Sequence, residues 1–177
     1  MTKNYYHTQE SRFKELTESI ICTRDDAWLG EAHYFWKDEF DAENWGHNSK
    51  KGTGHFEIYM SEINFEDVLD TVFNEEHYTF WLKQIEKVAK KIISKTHIKP
   101  TIKELNDYFR EKGDWDDLAG IQFQDLPTNN NHLLVKPIEY KNKRVAFAYR
   151  KRIQLAVYNT NIINTFALLK KEKCINF

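Results

Sequence analysis

The chain has 177 residues, 41% hydrophobic and 15% aromatic, with a formal net charge of −1. That length and composition specify a single domain over residues 1–177 with room for a proper core. No run approaches the roughly 18 apolar residues of a membrane span, the start Met1-Thr2-Lys3-Asn4 lacks a signal peptide's apolar stretch, and the two cysteines, Cys22 and Cys174, make neither a disulfide framework nor a metal set. The expectation is a cytoplasmic protein with no membrane partner.

Asn4-Tyr5-Tyr6-His7-Thr8 reads as a short aromatic opening strand. Ser11 can cap a helix over Arg12–Ile20, where Phe13, Leu16 and Ile20 recur at helical spacing. The segment Trp28-Leu29-Gly30-Glu31-Ala32-His33-Tyr34-Phe35-Trp36 follows, with its single glycine opening the turn before a short strand. Such a concentration of large rings is either core or a slot for a flat, partly charged ring, since aromatic faces stack and attract cations.

Lys37–Asn48 reads as a second helix and Lys50–Gly54 as a polar turn. His55–Ile63 alternates as a half-buried strand with Phe56, Ile58 and Met60 inward. From Phe65 to Thr96 the period is helical, and Ile102–Glu111 forms another helix started by Pro100-Thr101. Trp115–Asn131 reads as irregular, ending in an exposed Pro127–Asn131 loop. Val145–Tyr149 and Ile153–Tyr158 are the last strands, and Asn161–Lys171 a closing helix. Strands at both ends with helices between them make an α+β pattern, and no GxGxxG or Walker loop is present.

Charge is unevenly spread. Lys37–Glu76 holds eleven acidic and three basic residues, about −8, and Lys136–Lys173 ten basic and two acidic, about +8. Either the basic segment steers a polyanion or the two segments face each other across the fold. The basic stretch Lys141–Arg152, with Tyr140 and Tyr149 for stacking, suits phosphate or nucleic acid, or is a charged hairpin edge.

The order of these elements resembles the ADP-ribosyltransferase superfamily, in its poly(ADP-ribose)-polymerase-like branch. It is most similar to small bacterial transferase domains that open on "HGT" and carry "WLG…YF" and a downstream Trp. The resemblance covers Asn4 to about Met60, and Ile153 to Phe166 more loosely. It implies a split β-sheet with flanking helices and an inserted helical section at about 65–112, and NAD as co-substrate with no metal. It further implies His7 on the nicotinamide ribose, the backbone of Thr8 on the carboxamide, Tyr34 in its Tyr-Phe35 strand stacked beneath the ring, and Trp45 closing the other face. Gln154 stands where the family has its catalytic Glu, Thr8 where it has Gly, and Ala42 where it often has Ser. Arg150 in the basic stretch is the expected pyrophosphate contact. The implied role is a toxin or phage-defence effector with a neutralising antitoxin and a macromolecular target, RNA or DNA slightly ahead of protein.

Taken singly, His7, Tyr34 and Trp45 each read as satisfied core residues; their combined order carries the transferase reading. Glutamine at 154 keeps hydrogen bonds but loses the negative charge that would stabilise an oxocarbenium-like centre. A module that binds NAD or ADP-ribose without turnover is therefore the alternative, and a plain interaction protein using its long helix is a third.

Overall fold

The computed structural model describes residues 1–50, 52–125, 138–140, 143–145 and 151–175. Seven strands form one open, mixed sheet: β1 (Thr2–Glu10), β2 (His33–Trp36), β3 (His55–Asn64), β4 (Val68–Asp70), β5 (Gly120–Asp125), β8 (Arg152–Val157) and β9 (Ile163–Lys173), in the order β4-β5-β8-β2-β1-β3-β9. All neighbours are antiparallel except β4 and β5. Strands β6 (Ile138–Tyr140) and β7 (Lys143–Val145) pair as a separate ribbon. Three helices complete the α+β domain: α1 (Glu39–Ser49), α2 (Glu75–Thr96) and α3 (Ile102–Glu111).

The sheet has a weak seam. β1 pairs with β3 along nine residues, from Thr2↔Asn64 to Glu10↔Phe56, but meets β2 only at Tyr6↔Trp36. Two half-sheets, β4-β5-β8-β2 and β1-β3-β9, are thus joined at a single rung. Helix α1, capped by the Asp38 side chain on the Phe40 N–H, packs Ala42 with Trp36, Phe56 and Ile58 on one face near that seam. On the same face α2 and α3 bring Val88, Leu105 and Phe109 onto Ile121, Phe123 and Ala156. The opposite face packs Tyr5, Phe35, Leu155 and Val157 with Ile162.

The Gly30 turn is fixed from four sides. The Tyr34 hydroxyl accepts the Leu29 N–H at 3.1 Å and donates to the Gly30 carbonyl at 2.9 Å. The Asn106 amide of α3 donates to the Leu29 carbonyl at 2.6 Å, Tyr158 donates to it at 3.1 Å, and Arg110 donates to the Glu31 carbonyl at 3.0 Å. Gly30 adopts φ +76°, and a Cβ there would lie 2.3 Å from Asp107 Oδ1.

Sequence pattern and structure agree for α1, α3 and β8 and for the extent of β3, but β3 is buried on both faces, not one: Glu57, Tyr59 and Ser61 are buried as Phe56 and Ile58 are, and Met60 is half-buried. They part further in four segments. Residues 12–20 form no helix, because polar groups of the sheet tie the segment down: Ser11 donates to Glu57 at 2.8 Å rather than capping, Tyr59 accepts the Leu16 N–H at 3.0 Å, and Ser19 bonds His33 at 2.8 Å. Phe13, the first residue of the expected stripe, is left in solvent. Within 65–96, β4 precedes α2, which begins only after Asn74 caps it. Gly120–Asp125, read as irregular, is strand β5, with its first four residues buried. Asn161–Lys171 forms a 3-10 turn and then β9, whose even residues from 166 to 172 are half-buried and odd ones exposed. Pairing with β3 overrides its helical spacing. The Pro127–Asn131 loop lies outside the described residues, as does most of Val145–Tyr149.

The acidic and basic segments meet across β3 and β9. Lys170 bridges Glu43 and Glu39 of α1, the latter at 2.6 Å, and Lys171 reaches Glu57 at 3.4 Å.

Substituting Gly30→Ala forces a side chain into the left-handed region, at a cost of about 1–2 kcal/mol before the Asp107 clash. Urea denaturation is expected to show at least that loss; an unchanged midpoint would mean that the turn carries no strain.

Candidate functional site

A cavity of about 550 Å³ opens at the seam, lined by residues from β1, β2, α1 and β8 and by the 20–28 connection. His7, Thr8, Tyr34, Trp45 and Gln154 all contribute to its wall. Paired residues of neighbouring strands share a face, so Tyr34, across from Ala156, and Trp36, across from Gln154, stand side by side. Tyr34 leans edge-on against Phe123 at 6.3 Å, Trp45 on Trp36 at 5.9 Å, and no ring contact joins Tyr34 to Trp45 among the described residues.

His7 stands at the seam. Its Nδ1 lies 2.9 Å from the Tyr34 carbonyl oxygen, which can only accept, so Nδ1 carries the proton. That carbonyl is the acceptor the Thr8 N–H would meet in the next rung of the β1–β2 ladder. His7 Nε2 is therefore a lone-pair acceptor; it is buried and has no hydrogen-bond partner. Burial holds the imidazole neutral, pushing its pKa down to about 4, against a smaller opposing effect of the Tyr34 bond.

Thr8 follows from the same pattern. In an antiparallel pair, backbone groups point alternately toward and away from the partner. Ser11 donates its N–H to the His55 carbonyl and Phe65 donates to Met1, so the odd residues of β1 bond β3. The N–H and C=O of Thr8 point instead toward β2, beyond the last rung. Its side chain donates to the Ala42 carbonyl at 2.9 Å and locks α1 against β1. Ala42 itself is fully buried and offers no polar side chain.

Gln154 is half-buried, and its amide bonds no other described residue. Further along the cavity wall, Arg152 pairs with Asp125 at 2.9 Å and lies over the Trp36 ring at 4.9 Å. The Tyr34 phenol, buried and engaged by the Gly30 turn, is pushed well above its ordinary pKa by desolvation and stays neutral.

Two expected contacts are placed otherwise. Phe35 points to the opposite face, fully buried, and packs on the His7 ring at 5.4 Å; it supports His7 rather than lining the cavity. Arg150 lies outside the described residues. The residues 20–24, Trp36, Lys50, Asp125 and Arg152 were not legible as cavity wall. Trp36 stood in the aromatic run, but Lys50 read only as part of a turn and Ile20 as the end of a helix. No group of three metal-ligating side chains occurs among the described residues. No helix among them is long and apolar enough to cross a membrane.

No family model, curated protein or solved structure matches the chain.

Because His7 is neutral in the folded state at pH values where an unfolded histidine charges, acid destabilises the fold. The unfolded chain binds the extra proton between about pH 6.5 and 4, so the His7 contribution is full above that window and is lost as pH falls through it. The loss is at most roughly 3 kcal/mol. His33, also lowered by burial, acts in the same direction. Urea midpoints are expected to drop between pH 7 and 4.5, and less steeply in His7→Asn, which keeps a donor near the Tyr34 carbonyl. Equal slopes in both proteins would show that His7 is not buried neutral.

Proposed function

We propose that the chain is an NAD-dependent ADP-ribosyltransferase of the His-Tyr-Glu type, with glutamine in the third position. The observation that carries this reading is the convergence of His7, Thr8, Tyr34, Trp45 and Gln154 on one cavity at the seam between two half-sheets. The weak seam is what a split transferase sheet requires, and it supports that finer reading of the α+β fold.

Each group suits one part of NAD. The nicotinamide ring fits between Tyr34 and Trp45, whose faces attract a cationic ring. The outward N–H and C=O of Thr8 complement a carboxamide, which offers one acceptor and two donors. The Gln154 amide suits ribose hydroxyls, and His7, its Nε2 buried and its ring against Phe35 and Phe166, is assigned to the ribose by the resemblance. In the reaction the bond from C1′ to the nicotinamide nitrogen breaks and its electron pair neutralises the pyridinium. A nucleophilic oxygen or nitrogen of the target then bonds to C1′ and releases its proton. Gln154 holds the ribose without supplying negative charge, so turnover is slow and single transfer is favoured over chain growth.

That same neutral amide supports the second reading, a module that binds NAD or ADP-ribose without turnover. As a transferase the protein acts in the cytoplasm on a macromolecule, as a toxin or phage-defence effector held by an antitoxin. A nucleic-acid target rests on the basic stretch Lys141–Arg152, most of which lies outside the described residues; Arg152, like Lys170 and Lys171 further on, is engaged in an ion pair.

Nicotinamide release from NAD by purified protein, with and without total RNA, tests the proposal. Release is expected to fall at least about tenfold in Trp45→Ala, which removes one stacking face and leaves the Gly30 turn intact. Gln154→Glu is expected to raise turnover by about 10²-fold. Tight NAD binding with no release in either native or Gln154→Glu protein would favour the binding module, and no binding at all would leave the aromatic segment as core.

A further inference from the structure

The same cavity has a cationic wall away from the aromatic pair. Lys50, the C-cap of α1, lines it together with Arg24 and Thr23. Lys50 is half-buried, and its ammonium has no carboxylate within ion-pairing distance among the described residues. Arg24 is held in place by Asp26, with Nε donating at 2.8 Å. Burial lowers the pKa of Lys50, and the nearby cations Arg24 and Arg12 lower it further, against the opposing charges of Glu10 and Cys22. Glu10 is itself engaged by the Gly52 N–H at 2.5 Å. Two cations, Lys50 and Arg24, thus line one end of the cavity with one carboxylate, Asp26, which already holds Arg24.

A half-buried ammonium without a counter-ion is costly unless something anionic completes it. The aliphatic stem of a lysine can cover apolar wall, but that would leave the charged head in open water rather than in a cavity. We infer that Lys50, assisted by Arg24, forms a diphosphate-binding subsite in this cavity, for a ligand whose anionic centre lies beyond the ring held by Tyr34 and Trp45. This assignment deepens the transferase reading and relocates the phosphate contact from Arg150 in the basic stretch to the C-terminal end of α1. The subsite itself needs only a diphosphate, so it can be tested without NAD.

Calorimetric titration of the native chain with ADP and, separately, with nicotinamide makes the test. ADP is expected to bind with an affinity that falls as salt rises. Lys50→Met is expected to weaken ADP about tenfold or more while leaving nicotinamide unchanged, and Lys50→Arg to restore much of the loss. Thermal melts confirm that each variant is folded. No ADP binding to the native chain, or equal ADP affinity in native and Lys50→Met protein, would overturn the subsite. Lys50-dependent ADP binding without nicotinamide binding or NAD cleavage would uphold the subsite and reject the transferase.

Discussion

The hydrogen bond from His7 Nδ1 to the Tyr34 carbonyl is the contact on which the rest of the site depends. It takes one lone pair of the carbonyl that a second β1–β2 rung would use, at the point where the two strands part after Tyr6↔Trp36. Parting them leaves the Thr8 backbone facing open space, admits the cavity, and fixes the imidazole tautomer with Nε2 as acceptor. One side chain thus stands at the gap in the sheet and donates to the carbonyl that borders it.

The cavity is also where polar groups go unsatisfied. Buried donors and acceptors are nearly always paired, and exceptions concentrate where a ligand completes them. Here the Gln154 amide and the Lys50 side chain line one cavity without a partner among the described residues, and the unpartnered His7 Nε2 is buried beside it. Tyr34 shows the division of labour within a single residue. Its hydroxyl is committed to Leu29 and Gly30, holding the turn against α3, and its ring remains available to the cavity. Phe35, one residue on, buttresses His7 from the far face. Alternation along a strand of four residues thus lines the cavity with one face and packs the core with the other.

Much of this was legible in the sequence, and the reasons for the rest are physical. The positions of His7, Tyr34, Trp45 and Gln154 were readable because short-range pattern and element order sufficed to place them near one another. The side of the sheet that Phe35 occupies follows from period-two alternation, which a motif of adjacent residues hides. The segment 12–20 misled because its apolar spacing suits a helix, whereas Ser11, Leu16 and Ser19 are claimed individually by Glu57, Tyr59 and His33 from strands far along the chain. Strand β9 misled for a related reason: Asn161–Lys171 spells an acceptable helix, and only the long edge of β3 makes a strand better. Lys50 was unreadable as a site residue because its meaning comes from a missing counter-ion, which only the fold reveals.

The central claim is that the end of the β1–β2 ladder is built to hold a carboxamide-bearing ring. Amide chemical shifts of the isotopically labelled protein, followed during titration with nicotinamide, test it most directly. The account expects the Thr8 N–H to move among the largest and to saturate together with the Trp45 indole signal. Saturating nicotinamide that leaves Thr8 and Trp45 unmoved would contradict it, whatever else the protein binds.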